Sequence, residues 1–122
     1  MSNRAKALLS DILSAGDNIQ QFVRDVPFEE YTSNTLLRAA VERQFEIIGE
    51  ALSRLARYEP ELFARVPDAR RIVDFRNVLA HGYDIVDDEI VWQAIHEHLP
   101  LLLSTIRNLL IEQSSSAEGV EG

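Results

Sequence analysis

Apolar residues recur every three or four positions along most of this 122-residue chain, a spacing that places them on one face of a helix. Such a stripe runs through about residues 5–26, 34–57, 68–82 and 88–111. No segment alternates apolar and polar residues with the period of two expected of a half-buried strand. Because short connections join the four segments, the pattern predicts an all-α fold, an up-and-down bundle of four to five helices.

Local signals predict where the helices begin and end. Pro27 ends the first helix, since the residue before a proline disfavours helical backbone. Ser33 or Asn34 caps the second helix, whereas residues 58–67, with two prolines, form an irregular connection. Pro100 has no amide hydrogen, so the fourth helix either kinks or restarts there.

The length and the composition indicate one domain and its assembly. We predict a helical domain at residues 1–112 and a disordered C-terminal tail at residues 113–122, which is rich in serine, glycine and glutamate. The apolar faces are generous for a single small bundle. They therefore favour a homodimer, most simply one with two-fold symmetry.

Composition also narrows the compartment and the partners. Cysteine is absent, which excludes disulfides and thiolate metal sites. No apolar stretch approaches the ~20 residues of a membrane span, and Ser10 and Asp11 interrupt the N-terminal apolar run of a would-be signal peptide. We therefore expect a cytoplasmic protein without a membrane partner. The net charge of −8 disfavours non-specific nucleic-acid binding, so nucleic acid would have to be bound through a local basic patch.

The third helix carries the side chains best suited to chemistry. Arg76, Asn77 and His81 surround its apolar stripe. Gly82 and Tyr83 follow at the point where a helix usually ends. Polar residues are costly beside a core unless they are paired or used. A permanently charged guanidinium, an amide and an imidazole that titrates near neutrality are the groups needed to act on a phosphodiester.

Spacing alone leaves a simpler interpretation of these residues open. Arg76 and His81 are separated so that a regular helix points them roughly 140° apart. On the simpler interpretation His81 is a cation favoured by a helix C-terminus. Arg76 is then a surface ion-pair partner of Asp74 or Glu46. Without further information this interpretation is favoured, because an Arg-x4-His pair often occurs by chance.

Charged residues of the second helix also allow two interpretations. Glu46 and Arg43 could lie beside Arg76 across the bundle and orient it, which is a supporting role. They could instead belong to a solvated face whose helical ion pairs each contribute a few tenths of a kcal/mol. The solvated face is favoured for Glu42, and less clearly for Glu46, which is next to Phe45.

His96 and His98 do not predict a metal site. Alternate positions of a helix point roughly 200° apart, so these two imidazoles cannot easily share one ion. A solvent-facing or interface role is favoured for both. We therefore expect neither a metal nor a cofactor.

Residues 76–83 read Arg-Asn-Val-Leu-Ala-His-Gly-Tyr, which resembles the Arg-x4-His-x-Tyr signature of the HepT-like (DUF86) proteins of the HEPN superfamily. Residues 43–51 and 88–92 and the pair Leu99-Pro100 also resemble that family. The four blocks stand in the same order and spacing, and the resemblance covers residues 5–111. Such agreement is far more specific than a lone Arg-x4-His pair.

The resemblance implies an all-α HEPN bundle that dimerises so that two motifs face one cleft. It implies a type II toxin with metal-independent endoribonuclease activity on tRNA or mRNA. It also implies an antitoxin partner, a nucleotidyltransferase of the MNT type, which transfers AMP from ATP to the motif tyrosine, here Tyr83. Arg76 would bind the scissile phosphate, His81 would act as general base, and Asn77 would position the phosphate or the histidine.

A non-catalytic function remains as the alternative. In that case the protein is a helical dimer that serves as the binding partner of a nucleotidyltransferase, with the motif as docking surface. The net negative charge favours this alternative, and the intact set of Arg76, Asn77, His81 and Tyr83 favours the nuclease.

Overall fold

The computed structural model describes residues 1–80 and 87–121, with the backbone alone for residues 76–80 and 113–121. These residues form seven α-helices and one π-helical turn and contain no strand, so the all-α prediction is confirmed. The helices are α1 (Asn3–Phe22), α2 (Phe28–Ser33), α3 (Thr35–Tyr58), α4 (Pro60–Phe63), α5 (Ala69–Ala80), α6 (Asp88–Gln93) and α7 (Leu99–Glu121), and the π-helical turn is Ala94–His98.

The core lies between the longer helices, with α3 against both α1 and α5 and with α7 against α1. The apolar stripe predicted for α3 is buried, from Val41 to Leu55. Burying a Leu, Ile or Phe side chain stabilises the fold by about 1.5–3 kcal/mol each. The largest fully buried side chains are Tyr31, Phe45, Leu9, Ile12, Ile19, Ile48, Leu52, Leu55, Leu99, Leu102, Leu103 and Ile106.

The first helix ends earlier than the sequence predicted. α1 stops at Phe22, and Val23 already has non-helical backbone angles. Asp25 then adopts the left-handed conformation, with φ of 59°. Aspartate reaches this region at low cost because its short polar side chain can form local hydrogen bonds. The prediction that Pro27 ends the helix was therefore wrong, since the chain turns before it.

The helix starts follow the predicted capping chemistry. Asn34 caps α3, because its side-chain oxygen accepts a hydrogen bond from the Leu37 amide at 3.0 Å. Asp87 caps α6 by accepting from the Glu89 amide at 2.9 Å. The predicted irregular connection contains one helical turn, α4, which begins at Pro60. Proline is tolerated at a first helical position because its missing amide would have no partner there.

The chain passes Pro100 without a break in the helix. The Leu99 amide donates to the Ala94 carbonyl, five residues earlier, and this widened π-helical turn directly precedes α7. A proline ring normally clashes with the carbonyl four residues before it. A widened turn displaces that carbonyl, so the helix continues where the sequence allowed either a kink or a restart.

Two further features concern α7. At Gly16 in α1 an added β-carbon would overlap the δ-methyl groups of Leu103, so this glycine permits close approach of α1 and α7. The backbone of α7 runs on to Glu121, whereas disorder was predicted for residues 113–122. No proline follows Pro100, so backbone hydrogen bonds can propagate along the serine-rich segment. The division at residue 112 stays a prediction.

Among the described helices none is long and apolar enough to cross a membrane.

Candidate functional site

Helix α5 carries the first half of the Arg-x4-His-x-Tyr motif. Its backbone places Arg76 and Asn77 near the C-terminal end of the helix, one turn beyond the buried residues Ile72 and Val73. The helix is held against α3 by an edge-to-face contact of Phe75 with Phe45, whose ring centroids are 5.2 Å apart. The predicted positions His81 and Tyr83 lie outside the described residues, as do the side chains of Arg76 and Asn77. The catalytic assignments therefore stay predictions.

A mostly apolar cleft of about 190 Å³ opens beside α5. Phe45, Ile72 and Phe75 form one wall, from α3 and α5. The opposite wall comes from α6 and the π-helical turn, and includes Ile90 and His98. This cleft therefore separates the two helices that the motif connection joins.

A polar cluster lies at the start of α6, and we name it the Arg38 cluster after its central residue. It consists of Tyr31 from α2, Arg38 and Glu42 from α3, and Asp88 from α6. Arg38 Nη1 lies 3.5 Å from Asp88 Oδ2, and Arg38 Nη2 donates to Thr35 Oγ1 at 3.3 Å. The Tyr31 hydroxyl and Arg38 Nε are buried without a hydrogen-bond partner among the described residues.

The electrostatics of the Arg38 cluster follow from burial and from its two carboxylates. Burial raises the pKa of Glu42, and the nearby charges of Asp88 and Glu46 raise it further, while Arg38 opposes them. Burial likewise raises the pKa of the Tyr31 hydroxyl, with Glu42 and Asp88 acting in the same direction. Arg38 is therefore the cation that offsets two carboxylates in a partly desolvated position.

The structure separates the carboxylates of α3 that the sequence analysis grouped together. Glu46 pairs with Arg43 on its own helix, with Arg43 Nη1 3.3 Å from Glu46 Oε2. This is an ion pair within one helix, as expected if these residues belong to a solvated face, and Arg43 is largely exposed. Glu42, in contrast, is half-buried in the Arg38 cluster, so its assignment to a solvated face was wrong. Whether Glu46 also meets Arg76 lies outside the described side chains.

The aromatic and histidine side chains of α6 and the π-helical turn have separate neighbours. Trp92 is partly buried against the core and stacks at an angle on Tyr31, with ring centroids 5.1 Å apart. His96 is exposed and meets the Trp92 ring edge-on at 4.5 Å. His98 Nδ1 lies 3.7 Å from Asp68 Oδ2. The described residues contain no group of three or more potential ligands able to hold a metal ion.

The basic side chains that precede the motif on the same helix lie at the start of α5. Arg70 and Arg71 are both exposed there. Arg70 also contacts the face of the Phe63 ring, with its guanidinium carbon 5.2 Å from the ring centroid. Arg71 lines the apolar cleft. Two arginines thus stand one to two turns before Arg76 on the same helix.

Comparison with known proteins identifies the family. Residues 12–109 match the family described as Ribonuclease HepT-like. The chain belongs to the HepT-like family. The matched region contains all of the motif at residues 76–83, together with the whole of the Arg38 cluster. The HepT-like assignment thus agrees with the resemblance carried by the motif.

Curated relatives support the same assignment over most of their length. A protein of Methanocaldococcus jannaschii, named as a candidate RNase, MJ1380, is 37% identical over 101 residues, which is 82% of this chain and 92% of the relative. A second M. jannaschii protein of that description, MJ0125, is 35% identical over 78% of this chain and 81% of the relative. A protein of Thermococcus cleftensis named as a probable ribonuclease HepT is 31% identical over 89% of this chain and 98% of the relative. No solved structure gives a significant match.

Proposed function

We propose that this HepT-like protein is a metal-independent endoribonuclease that acts as the toxin of a toxin–antitoxin pair. The observation that carries the proposal is the family match across residues 12–109, which includes an intact Arg-x4-His-x-Tyr motif. The names of the relatives as RNases support the reaction class. The position of Arg76 and Asn77 at the end of a helix packed on the core supports a rigid mounting for the motif.

The chemistry proposed for the motif is transesterification within RNA. His81 takes the proton of a ribose 2′-hydroxyl, and that oxygen attacks the adjacent phosphorus. The bond from phosphorus to the 5′-oxygen breaks, and the 5′-oxygen receives a proton from the second His81 of a dimer. The products are a 2′,3′-cyclic phosphate and a free 5′-hydroxyl. Arg76 binds the phosphate and offsets the charge that develops on it, and Asn77 positions the phosphate or the imidazole.

The acidic protein must bind an acidic polymer, which restricts where RNA can lie. The net charge of −8 disfavours a broad basic surface. Arg38 and Arg43 already form ion pairs with carboxylates of their own chain, Asp88 and Glu46. The remaining candidates near the motif are Arg70, Arg71 and Arg76. We therefore propose a small patch on α5, repeated across a homodimer, as the RNA contact.

The test of this function is cleavage of end-labelled tRNA and mRNA by the unmodified protein in excess EDTA. We expect cleavage at discrete positions, because Arg76 and His81 need no metal to carry out the reaction above. Enzymatic analysis of the ends should find 2′,3′-cyclic phosphate and 5′-hydroxyl groups. Products with 3′-hydroxyl ends, or activity that EDTA abolishes, would contradict the mechanism.

The proposed regulation is transfer of AMP to Tyr83 by an MNT-type nucleotidyltransferase. The added nucleotide brings bulk and negative charge beside the motif and so repels RNA. Incubation with a cognate nucleotidyltransferase and ATP should add AMP mass to the wild type and none to Tyr83→Phe. Tyr58→Phe is the matched control, because Tyr58 is an exposed tyrosine elsewhere on the chain and should leave the AMP addition intact. Addition that persists in Tyr83→Phe would exclude Tyr83 as acceptor.

The second candidate function is a non-catalytic dimer that binds the nucleotidyltransferase. The net charge of −8 and the internal pairing of Arg38 and Arg43 favour it. The cleavage assay separates the two functions. If the folded, unmodified dimer binds the nucleotidyltransferase but cleaves neither tRNA nor mRNA, the binding function is established instead.

A further inference from the structure

Residues 81–87 connect α5 to α6 and carry the second half of the motif. The two helices that flank this connection both contact α3. The first end of the connection is at Ala80, the last residue of α5, and α5 rests on α3 through Phe75 and Phe45. Its second end is the start of α6, where Asp88 pairs with Arg38 of α3. Helix α3 therefore serves as a common support for the two anchor points on either side of His81 and Tyr83.

The ion pair of Arg38 with Asp88 is less exposed to solvent than another ion pair between helices of this protein. The Asp88 side chain is 20% exposed and that of Arg38 33% exposed. For comparison, the interhelical pair of Arg107 with Asp17 has side chains that are 49% and 43% exposed. Partial burial strengthens the attraction between the two charges, and it makes the loss of one partner costly because the other charge remains desolvated.

Removing Arg38 would also leave the nearby carboxylates of Glu42 and Asp88 without the cation that now opposes their repulsion. Glu42 and Asp88 interact closely enough for Asp88 to raise the pKa of Glu42, and Arg38 is what opposes that effect. Without the guanidinium, repulsion would push Asp88, and with it the first turn of α6, away from α3. Asp87, which caps α6, would move with that turn.

We infer that Arg38 is a positioning residue of the proposed nuclease, holding the start of α6 on α3 and thereby the spacing between the two anchors of the motif connection. This inference rests on the proposed function. Arg38 touches no substrate in this role. Its effect passes through Asp88 to the backbone that places His81 relative to Arg76.

The test compares Arg38→Met, Asp88→Asn and Arg38→Lys with the matched control Arg107→Met in the RNA cleavage assay. Arg38→Met and Asp88→Asn should each lower kcat about tenfold with KM unchanged, because a misplacement of the order of 1 Å costs catalysis up to ~100-fold. The double variant that combines Arg38→Met with Asp88→Asn should have a kcat no lower than that of either single variant, since both substitutions remove the same contact. Arg38→Lys keeps a cation and should recover part of the loss. Arg107→Met breaks an exposed interhelical pair and should leave kcat within about twofold.

A second readout does not depend on cleavage. Amide hydrogen exchange of residues 88–93 should be faster in Arg38→Met than in the wild type. It should be unchanged in Arg107→Met, and the comparison requires that the two variants have the same melting temperature. A normal kcat in Arg38→Met would overturn the inference. A raised KM with unchanged kcat would also overturn it, since Arg38 would then be an RNA contact. If the wild type cleaves no RNA, the proposed function fails, and unchanged exchange in Arg38→Met would then show separately that Arg38 does not anchor α6.

Discussion

Replacing His81 by alanine is expected to lower the rate of RNA cleavage by a factor of about 10²–10⁴, the usual contribution of a positioned general acid or base. In a symmetric dimer the substitution removes both the proposed base and the proposed acid, so the upper part of this range is expected. The measurement is the single-turnover cleavage rate of an end-labelled RNA in EDTA, at saturating protein. A His81→Ala variant that cleaves at the wild-type rate would assign the activity to another site or to a contaminant.

Arg76→Ala should be impaired for a different reason. Loss of the guanidinium removes charge stabilisation that grows in the transition state, which is worth about 10²–10³ in rate. Arg76→Lys should recover only part of it, because an ammonium cannot form the paired hydrogen bonds of the planar guanidinium. Arg54→Ala is the matched control, since Arg54 pairs with Glu50 on the exposed face of α3. Equal loss in Arg54→Ala and Arg76→Ala would indicate a general effect of positive charge instead of a specific role.

Phe45→Ala is expected to lower the free energy of unfolding by about 3–5 kcal/mol, a range typical for removal of a buried phenylalanine ring. Phe45 is 1% exposed and lies on the stripe of α3 that supports α5. The measurement is urea unfolding followed by the fluorescence of Trp92, the single tryptophan, which packs on Tyr31 and Phe28. A two-state transition would give the free energy by linear extrapolation.

The edge-to-face contact of Phe45 with Phe75 should appear as coupling between the two residues. In a double-mutant cycle with Phe75→Ala, we expect an interaction of about 0.5–1.5 kcal/mol. Phe22→Ala is the control, because Phe22 is 38% exposed at the end of α1 and its loss should cost about 1 kcal/mol or less. Equal destabilisation by Phe22→Ala and Phe45→Ala would contradict the placement of Phe45 in the core.

The site itself was only partly accessible from the sequence. Arg76, Asn77, His81 and Tyr83 form a local motif, so their order and spacing along the chain suffice to recognise them. The Arg38 cluster was missed because it joins residues from three separate helices. One signal pointed to it, since Arg38 occupies the same helical stripe as Val41 and Phe45, where a charged residue must find a partner or lose stability.

The sequence by itself determined the all-α class and the buried stripe of α3, and it narrowed the cap of α3 to Ser33 or Asn34, because each depends on helical period or on hydrogen bonds within one turn. Only the tertiary structure decided that a π-helical turn lets the chain pass Pro100 and that Asp88 joins Arg38 and Glu42. These features depend on how much room and which charges neighbouring helices provide. Asp88 lies on a helix far along the chain from Arg38, so the position of Arg38 in the stripe indicates that it needs a partner but not which residue provides it.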